Sequence, residues 1–246
     1  MTLLIDIGNT NTHIGLADGS AVVDECELAT HGSTVTQLIE CFGRLTREPI
    51  AAAVLCSVVP ERTSTVQAAV WQTCGYHATE LTAANVKGVG VDYPEPGSIG
   101  PDRLANAIAA RRHFGAPAVV VDFGTAVTFD VINSRGSYVG GIIAPGVAAM
   151  TDYLHEKTAL LPKVEIEEPT SVIGRSTREA MLSGAVHGYR GLIRELLLQL
   201  REELHVDTLP VVATGGYAQL MAAKLPLIDA VEPNLTLEGL RLFAAA

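Results

Sequence analysis

The chain has 246 residues, 48% hydrophobic and 18% charged, with 27 acidic against 17 basic side chains and a formal net charge of −10. This composition excludes intrinsic disorder and leaves one large domain or two small ones, long enough to bury a sizeable core. The acidic balance argues against a general nucleic-acid or anionic-membrane partner, whose phosphates require clustered Lys and Arg, but not against a nucleotide held by one local cradle.

The start, Met1-Thr2-Leu3-Leu4-Ile5-Asp6, meets an acid before any hydrophobic segment develops, so a signal peptide is not expected. No run reaches the roughly 18 apolar residues of a membrane span. Cys26, Cys41, Cys56 and Cys74 form no Cys-x-x-Cys pair and show no matching His spacing. Buried, reduced thiols are therefore expected in place of zinc or a disulfide framework, and a cytoplasmic protein with them.

In chain order, hydrophobic patterning predicts strands near 2–6, 12–17 and 21–28, a helix near 33–45, a strand over 51–57, a helix near 61–74 and a short strand near 77–81. Residues 86–100, rich in Gly and Pro, read as a loop, followed by a helix from Pro101 to about Phe114. The second half repeats the order: strands near 118–122, 126–132 and 137–143, a helix opening at Pro145-Gly146, and a long helix near 177–203. It closes with a strand over 210–213, the turn Thr214-Gly215-Gly216, a helix, and a final strand–helix pair. The twice-given order β-β-β-α-β-α predicts a duplicated ribonuclease-H-like α/β fold, as in the actin, Hsp70 and sugar-kinase group. The expected lobes are residues 1–114 and 115–246, packed around a nucleotide cleft.

Two turns carry the chemistry. Asp6-Ile7-Gly8-Asn9-Thr10 and Asp122-Phe123-Gly124-Thr125-Ala126 each follow an apolar run and lead into another strand. Asp and Gly also end strands for purely structural reasons, but a carboxylate beside a glycine-bearing turn can hold a cation and a phosphate together. The turn from Asp6 through Asn11 and Thr12 is expected to aim N–H groups and the Asn9, Thr10 and Thr12 side chains at phosphate oxygens. Gly8 would supply a positive φ, and Asp6 would hold Mg²⁺ through water. His13 is either a phosphate contact or a structural strand histidine.

In Gly100-Pro101-Asp102-Arg103, Gly100 reads as N-cap and Pro101 as the first helical residue. Asp102 in that first turn would have its ionised form favoured by the macrodipole, and Arg103 offers a planar fork for a carboxylate or phosphate. A plain surface helix with an acidic start fits the same four residues. Asp122 suits a cation and Thr125 a phosphate. Thr214-Gly215-Gly216 either admits a flat adenosine or is a tight turn. No Gly-x-x-x-x-Gly-Lys loop, complete dinucleotide fingerprint or Gly-x-Ser-x-Gly elbow occurs.

Taken together, Asp6-x-Gly-Asn-Thr, Tyr93-x-x-Pro96, Gly100-x-Asp-Arg, Asp122-x-Gly-Thr, Gly140-Gly-x-Ile-x-Pro-Gly and Thr214-Gly-Gly resemble type III pantothenate kinase over essentially the whole chain. The resemblance implies transfer of the γ-phosphoryl group of ATP to the primary hydroxyl of pantothenate, giving 4′-phosphopantothenate in the first step of coenzyme A synthesis. It further implies Mg²⁺, a monovalent cation (K⁺ or NH₄⁺) and a homodimer. Carried over by position, Asp6 is similar to the Mg-linked aspartate and residues 6–13 (Asp6, Ile7, Gly8, Asn9, Thr10, Asn11, Thr12, His13) to the ATP phosphate loop. Asp102 resembles the proton acceptor. Tyr93, Gly100, Pro101, Asp102, Arg103 and Thr177 resemble the pantothenate site, Asp122 the monovalent-cation ligand and Thr125 an ATP contact. Pro101 departs from the family pattern, which usually carries alanine there.

Another small-molecule kinase of the same superfamily, and a nucleotide-binding regulator of the Bvg accessory factor type, are the alternatives. An apolar stripe on the long helix (Leu192, Leu196, Leu197, Leu200) is expected either to pair two copies or to pack within its own lobe.

Overall fold

The computed structural model describes residues Met1–Ala246. Its first half runs β1 (Thr2–Ile7), β2 (Asn11–Ala17), β3 (Val22–Ala29), α1 (Val35–Leu45), β4 (Ala52–Ser57), α2 (Pro60–Cys74), β5 (Thr79–Glu80), β6 (Gly90–Val91) and α3 (Pro101–Phe114). The rest is β7 (Ala118–Phe123), β8 (Ala126–Ile132), β9 (Ser137–Pro145), α4 (Val147–Lys157), α5 (Thr177–Glu203), β10 (Val211–Thr214), α6 (Ala218–Ala222), β11 (Ala230–Val231) and α7 (Leu235–Ala244). Two sheets form, in the orders β3-β2-β1-β4-β5 and β9-β8-β7-β10-β11, with β6 on the outer side of β9.

Each sheet puts its first strand in the middle. β1 takes β2 antiparallel on one side and β4 parallel on the other. β7 likewise takes β8 antiparallel and β10 parallel. The central strands are apolar because both faces are covered: Leu3, Leu4 and Ile5, like Val119, Val120 and Val121, are fully buried.

Two compact units result. One comprises Met1–Gly115, Ser134–Val139 and Asn234–Ala246, the other Ala116–Asn133 and Gly140–Pro233. A division at 114/115 would leave α7 with the second lobe; instead α7 packs in the first unit, on α3. Gly239 lets the two helices meet so closely that a side chain there would overlap the Ala105 carbonyl. α3 is buried continuously from Leu104 to Ala110, mostly by small residues that admit neighbours on several sides. α1 starts at a reciprocal cap, the Gln37 N–H donating to Thr34 Oγ1 and the Thr34 N–H to Gln37 Oε1. It buries Leu38, Cys41 and Phe42.

Two expectations need correction, and a third, left open between two alternatives, is narrowed. Residues 86–100 are not wholly loop: Gly90 and Val91 pair in parallel with Ser137 and Tyr138. A Cβ at Gly90 would meet Ser137 Oγ at 2.5 Å, so a larger residue there would force the Ser137 hydroxyl to move. The four cysteines are not all free, because α1 lies across β3 and pairs Cys26 with Cys41, Cα atoms 6.9 Å apart; Cys56 and Cys74 remain thiols. The stripe on α5 largely serves its own unit, with Leu197 and Leu200 buried there alongside Ile193. No helix is long and apolar enough to cross a membrane.

Candidate active site

Asp6 stands one residue before the end of β1, in register with His13 of β2 and Cys56 of β4; His13 in turn pairs with Glu27 of β3. Cross-strand partners project to one face of a sheet, so Glu27, His13, Asp6 and Cys56 form a row. His13 Nε2 lies 3.3 Å from Glu27 Oε2, which gives the histidine a structural partner. The Cys56 thiol donates to Asp6 Oδ1 at 3.3 Å. Burial, then the charges of Asp6 and Asp102, push that thiol well above its ordinary value, so it stays a neutral donor. The two carboxylates thus both bear on one buried sulfur.

The turn after Asp6 is braced from beneath. The Gly8 N–H donates to the Asn11 carbonyl at 3.0 Å. Gly8 is not among the positive-φ glycines; its missing side chain matters because a Cβ would stand 3.0 Å from Asn11 O. The Thr30 hydroxyl donates to the Gly8 carbonyl at 2.7 Å, and Thr12 Oγ1 lies 3.0 Å from Thr30 Oγ1. Since the single Thr30 proton is committed to Gly8, Thr12 is the donor in that pair. Thr12, expected to face phosphate, is turned inward and buried, whereas Asn9 and Thr10 occupy the exposed tip.

Gly100 is the N-cap of α3 and Pro101 its first residue, with Asp102 in the first turn. The Asp102 carboxylate accepts from the Arg103 N–H at 2.9 Å. It folds back over Gly100, where a Cβ would meet Asp102 Oδ1 at 2.5 Å. The expectation that the helix terminus sets this carboxyl's ionisation is overridden: burial raises its pKa, and the Arg103 N–H and charge offset that only in part. A partly buried carboxyl with raised basicity can accept a proton. Arg103 lays its guanidinium 5.7 Å from the centre of the Tyr138 ring, and Tyr93 meets the same ring edge-on at 6.0 Å. The first unit therefore brings Asp6 and Asp102 to Cys56, and Tyr93 and Arg103 to Tyr138.

In the second unit, Asp122 is in register with Thr128 of β8 and Thr214 of β10. Glycines close on this turn. At Gly215, which has φ +88°, a Cβ would stand 2.5 Å from Asp122 Oδ1 and 2.8 Å from Phe123 N. At Gly146, the N-cap of α4, it would overlap the Thr125 carbonyl. Gly215 is thus what allows the Asp122 carboxylate to lie against backbone. Thr177 opens α5 behind its N-cap Ser176, whose hydroxyl accepts from Glu179 N–H at 3.2 Å; the Thr177 side chain is exposed.

The family model for type III pantothenate kinase matches residues 2–199. The type III pantothenate kinase of Akkermansia muciniphila is 48% identical over 243 residues, covering 98% of this chain and 97% of that protein. The chain belongs to the type III pantothenate kinase family. Two solved structures share its fold across nearly their whole length. One, from Campylobacter jejuni, is described as a Baf family transcriptional activator, with TM-score 0.62, 21% identity and coverage of 98% and 96%. The other, from Sinorhizobium meliloti, is described as a 2-dehydro-3-deoxygalactonokinase protein, with TM-score 0.58, 14% identity and coverage of 100% and 95%. The fold is the duplicated α/β architecture of the sugar kinases, in agreement with the repeated strand order.

Three residues of this pantothenate kinase family chain escaped sequence reading. Cys56 looks like core filler in an apolar strand, and only its register opposite Asp6 betrays it. Thr30 follows β3 without any motif. Tyr138 is a lone aromatic beside Gly140-Gly141, legible only once β6 is known to pair with β9.

Proposed function

We propose that this chain phosphorylates pantothenate with ATP to give 4′-phosphopantothenate, the first step of coenzyme A synthesis. The observation that carries the reading is the half-buried Asp102 in the first turn of α3, accepting from the Arg103 N–H, in a chain whose family membership spans nearly its full length. Asp102 takes the proton of the acceptor's primary hydroxyl as that oxygen bonds to the γ-phosphorus and the bond to ADP breaks. Tyr93, Gly100, Pro101 and Arg103 orient the acceptor, and Thr177 is a further contact to it. The turn from Asp6 to His13 supplies N–H groups and the Asn9 and Thr10 side chains for phosphate oxygens.

The donor set suits Mg²⁺. No group of three or more His, Cys, Asp or Glu is gathered to hold a metal, so the ion would be shared between Asp6, waters and phosphate oxygens, its usual mode in kinases. Bound there, Mg²⁺ would neutralise charge developing on the phosphates. Asp122, in the second unit, is the ligand for K⁺ or NH₄⁺, and Thr125 a contact to ATP. The reading places the enzyme in the cytosol with its co-substrate.

It also takes the enzyme to be a homodimer. Its support is a run of exposed apolar side chains in the second unit: Met150 and Tyr153 on α4, Leu160 at 90% exposure, and Val172 and Ile173 just before α5. Sedimentation at micromolar concentration, with and without pantothenate, checks this; a fully active monomer throughout that range contradicts it.

The reaction is tested by offering ATP with pantothenate, acetate or hexoses, each with and without K⁺. Turnover is expected with pantothenate alone and should rise with K⁺. Faster turnover of acetate or a sugar, or none with any acceptor, overturns the reading.

A further inference from the structure

Thr30, the residue after β3, is 1% exposed and grips the turn between Asp6 and His13 at three points. Its N–H donates to the Thr10 carbonyl at 2.9 Å, and its hydroxyl donates to the Gly8 carbonyl at 2.7 Å. The Thr12 hydroxyl, 3.0 Å away, donates to that same Thr30 oxygen.

A trans peptide is planar, with its C=O and N–H on opposite sides. The Gly8 and Thr10 carbonyls are drawn toward Thr30, so the N–H groups of Asn9 and Asn11 point away from it. One residue from a different part of the chain thus orients two peptides of the turn.

Thr30 is itself held. Its carbonyl accepts from the Ser33 hydroxyl at 3.3 Å. Arg62, in the first turn of α2, donates through Nη2 to the Ser33 carbonyl and, at 3.0 Å, to the Ser33 hydroxyl. The next residue, Thr34, is the N-cap of α1. Residues 30–33 are therefore tied to β1–β2, α1 and α2 together, and a segment tied on several sides imposes its shape on the turn.

We propose that Thr30 is a positioning residue for ATP: through the Gly8 and Thr10 carbonyls it holds the turn with its N–H groups toward the phosphates, and Arg62 locks it there through Ser33. The proposal rests on the reading of residues 6–13 as the phosphate loop.

The test compares Thr30→Val, which keeps the shape without the hydroxyl, with Thr30→Ser, which keeps the hydroxyl, in the full-length protein. Arg62→Met and Asn9→Asp are run beside them. Calorimetry gives Kd, and steady-state kinetics KM, for ATP and for pantothenate at fixed Mg²⁺ and K⁺. Thr30→Val is expected to raise the ATP Kd and KM by about tenfold, with both pantothenate values within about twofold of the parent. Thr30→Ser should return to within about threefold of the parent, and Arg62→Met should raise the ATP values by about threefold. Asn9→Asp puts a negative charge on the exposed tip and should weaken ATP binding by about tenfold or more.

An unchanged ATP Kd in folded Thr30→Val or in Arg62→Met overturns the proposal. So does a pantothenate Kd that rises in step with that of ATP, or a Ser variant as impaired as Val, since a merely structural hydroxyl would act on both substrates alike. Where Thr30→Val does not fold, Arg62→Met, at the half-buried start of α2, carries the test alone. Should Asn9→Asp bind ATP like the parent, the reading of the phosphate loop falls and this proposal with it; a weakened Asn9→Asp with an indifferent Thr30→Val sinks the proposal alone.

Discussion

β1 and β7 end in the same Asp-x-Gly turn at the same place in their sheets, yet the two turns are braced by different means. The Asp6 turn rests on side chains: the Cys56 thiol on the carboxylate, and the Thr12–Thr30 hydroxyl relay under the Gly8 carbonyl. The Asp122 turn rests on close backbone, with Gly215 against the carboxylate and Gly146 against Thr125. Topology fixes where a carboxylate stands, and local packing decides what it tolerates. The halves also differ in acids. The first unit brings a second carboxylate, Asp102, to the buried thiol beside Asp6, whereas Asp122 faces Thr128 and Thr214 in register. On this account the first unit would supply the proton acceptor and the phosphate turn, and the second the monovalent-cation ligand and a further contact to ATP.

The largest expected effect is that of Asp102→Asn. Turnover should fall on the order of a hundredfold or more, with ATP affinity nearly unchanged, as read by steady-state kinetics and calorimetry. Burial raises the Asp102 pKa, so the active, deprotonated form accumulates only above the ordinary carboxylate value, and the acid limb of kcat/KM should lie above it. The stability sign runs the other way. A folded-state pKa raised above the unfolded one favours the protonated form, so the parent is penalised as pH rises through the folded value. Asp102→Asn should melt higher than the parent at neutral pH, the difference vanishing below about pH 3.8, the unfolded value. Equal melting at both pH values would show that this carboxyl is not held in a desolvated place.

Next in size is the contrast between glycines. Gly215→Ala meets both a left-handed backbone and the Asp122 carboxylate, and should cost on the order of 2–4 kcal/mol in denaturant unfolding. Gly8→Ala, with an ordinary φ and a single carbonyl at 3.0 Å, should cost roughly 1 kcal/mol or less. Equal costs would break the distinction between the two kinds of bracing. Asp122→Ala should then weaken ATP use several-fold and flatten the K⁺ activation curve, since a carboxylate is the strongest cation ligand in that turn. A curve like the parent's would move the cation elsewhere. Thr12→Val should cost at most about 1 kcal/mol of stability, as little as Gly8→Ala, with a slight rise in ATP KM, from one lost donor in a buried pair.

Most of the fold was legible because its signals are local. Apolar runs ended by Asp and Gly mark β1 and β7, and Gly100-Pro101 marks the start of α3. What stayed hidden depends on distant partners. Two residues, Gly90 and Val91, are too short for a periodicity, so β6 shows only through β9. The place of α7 follows from Gly239 meeting Ala105, which no spacing announces. Cys26 and Cys41 read as scattered thiols because their proximity is created by α1 crossing β3. The α5 stripe was ambiguous because burial within a unit and burial against a second copy leave one pattern. At the site, the acids and glycines were legible as residue types. The raised basicity of Asp102 was not, since it comes from burial that only the folded chain creates.

The division of labour between the halves is most directly tested by rapid-quench single turnovers at saturating ATP and pantothenate, with Asp102→Asn and Asp122→Ala run side by side. The account predicts that Asp102→Asn loses about a hundredfold or more in the transfer step, while Asp122→Ala, once saturated, stays within about tenfold of the parent. Transfer by Asp102→Asn at near-parent rate, or a larger loss in Asp122→Ala, would contradict it.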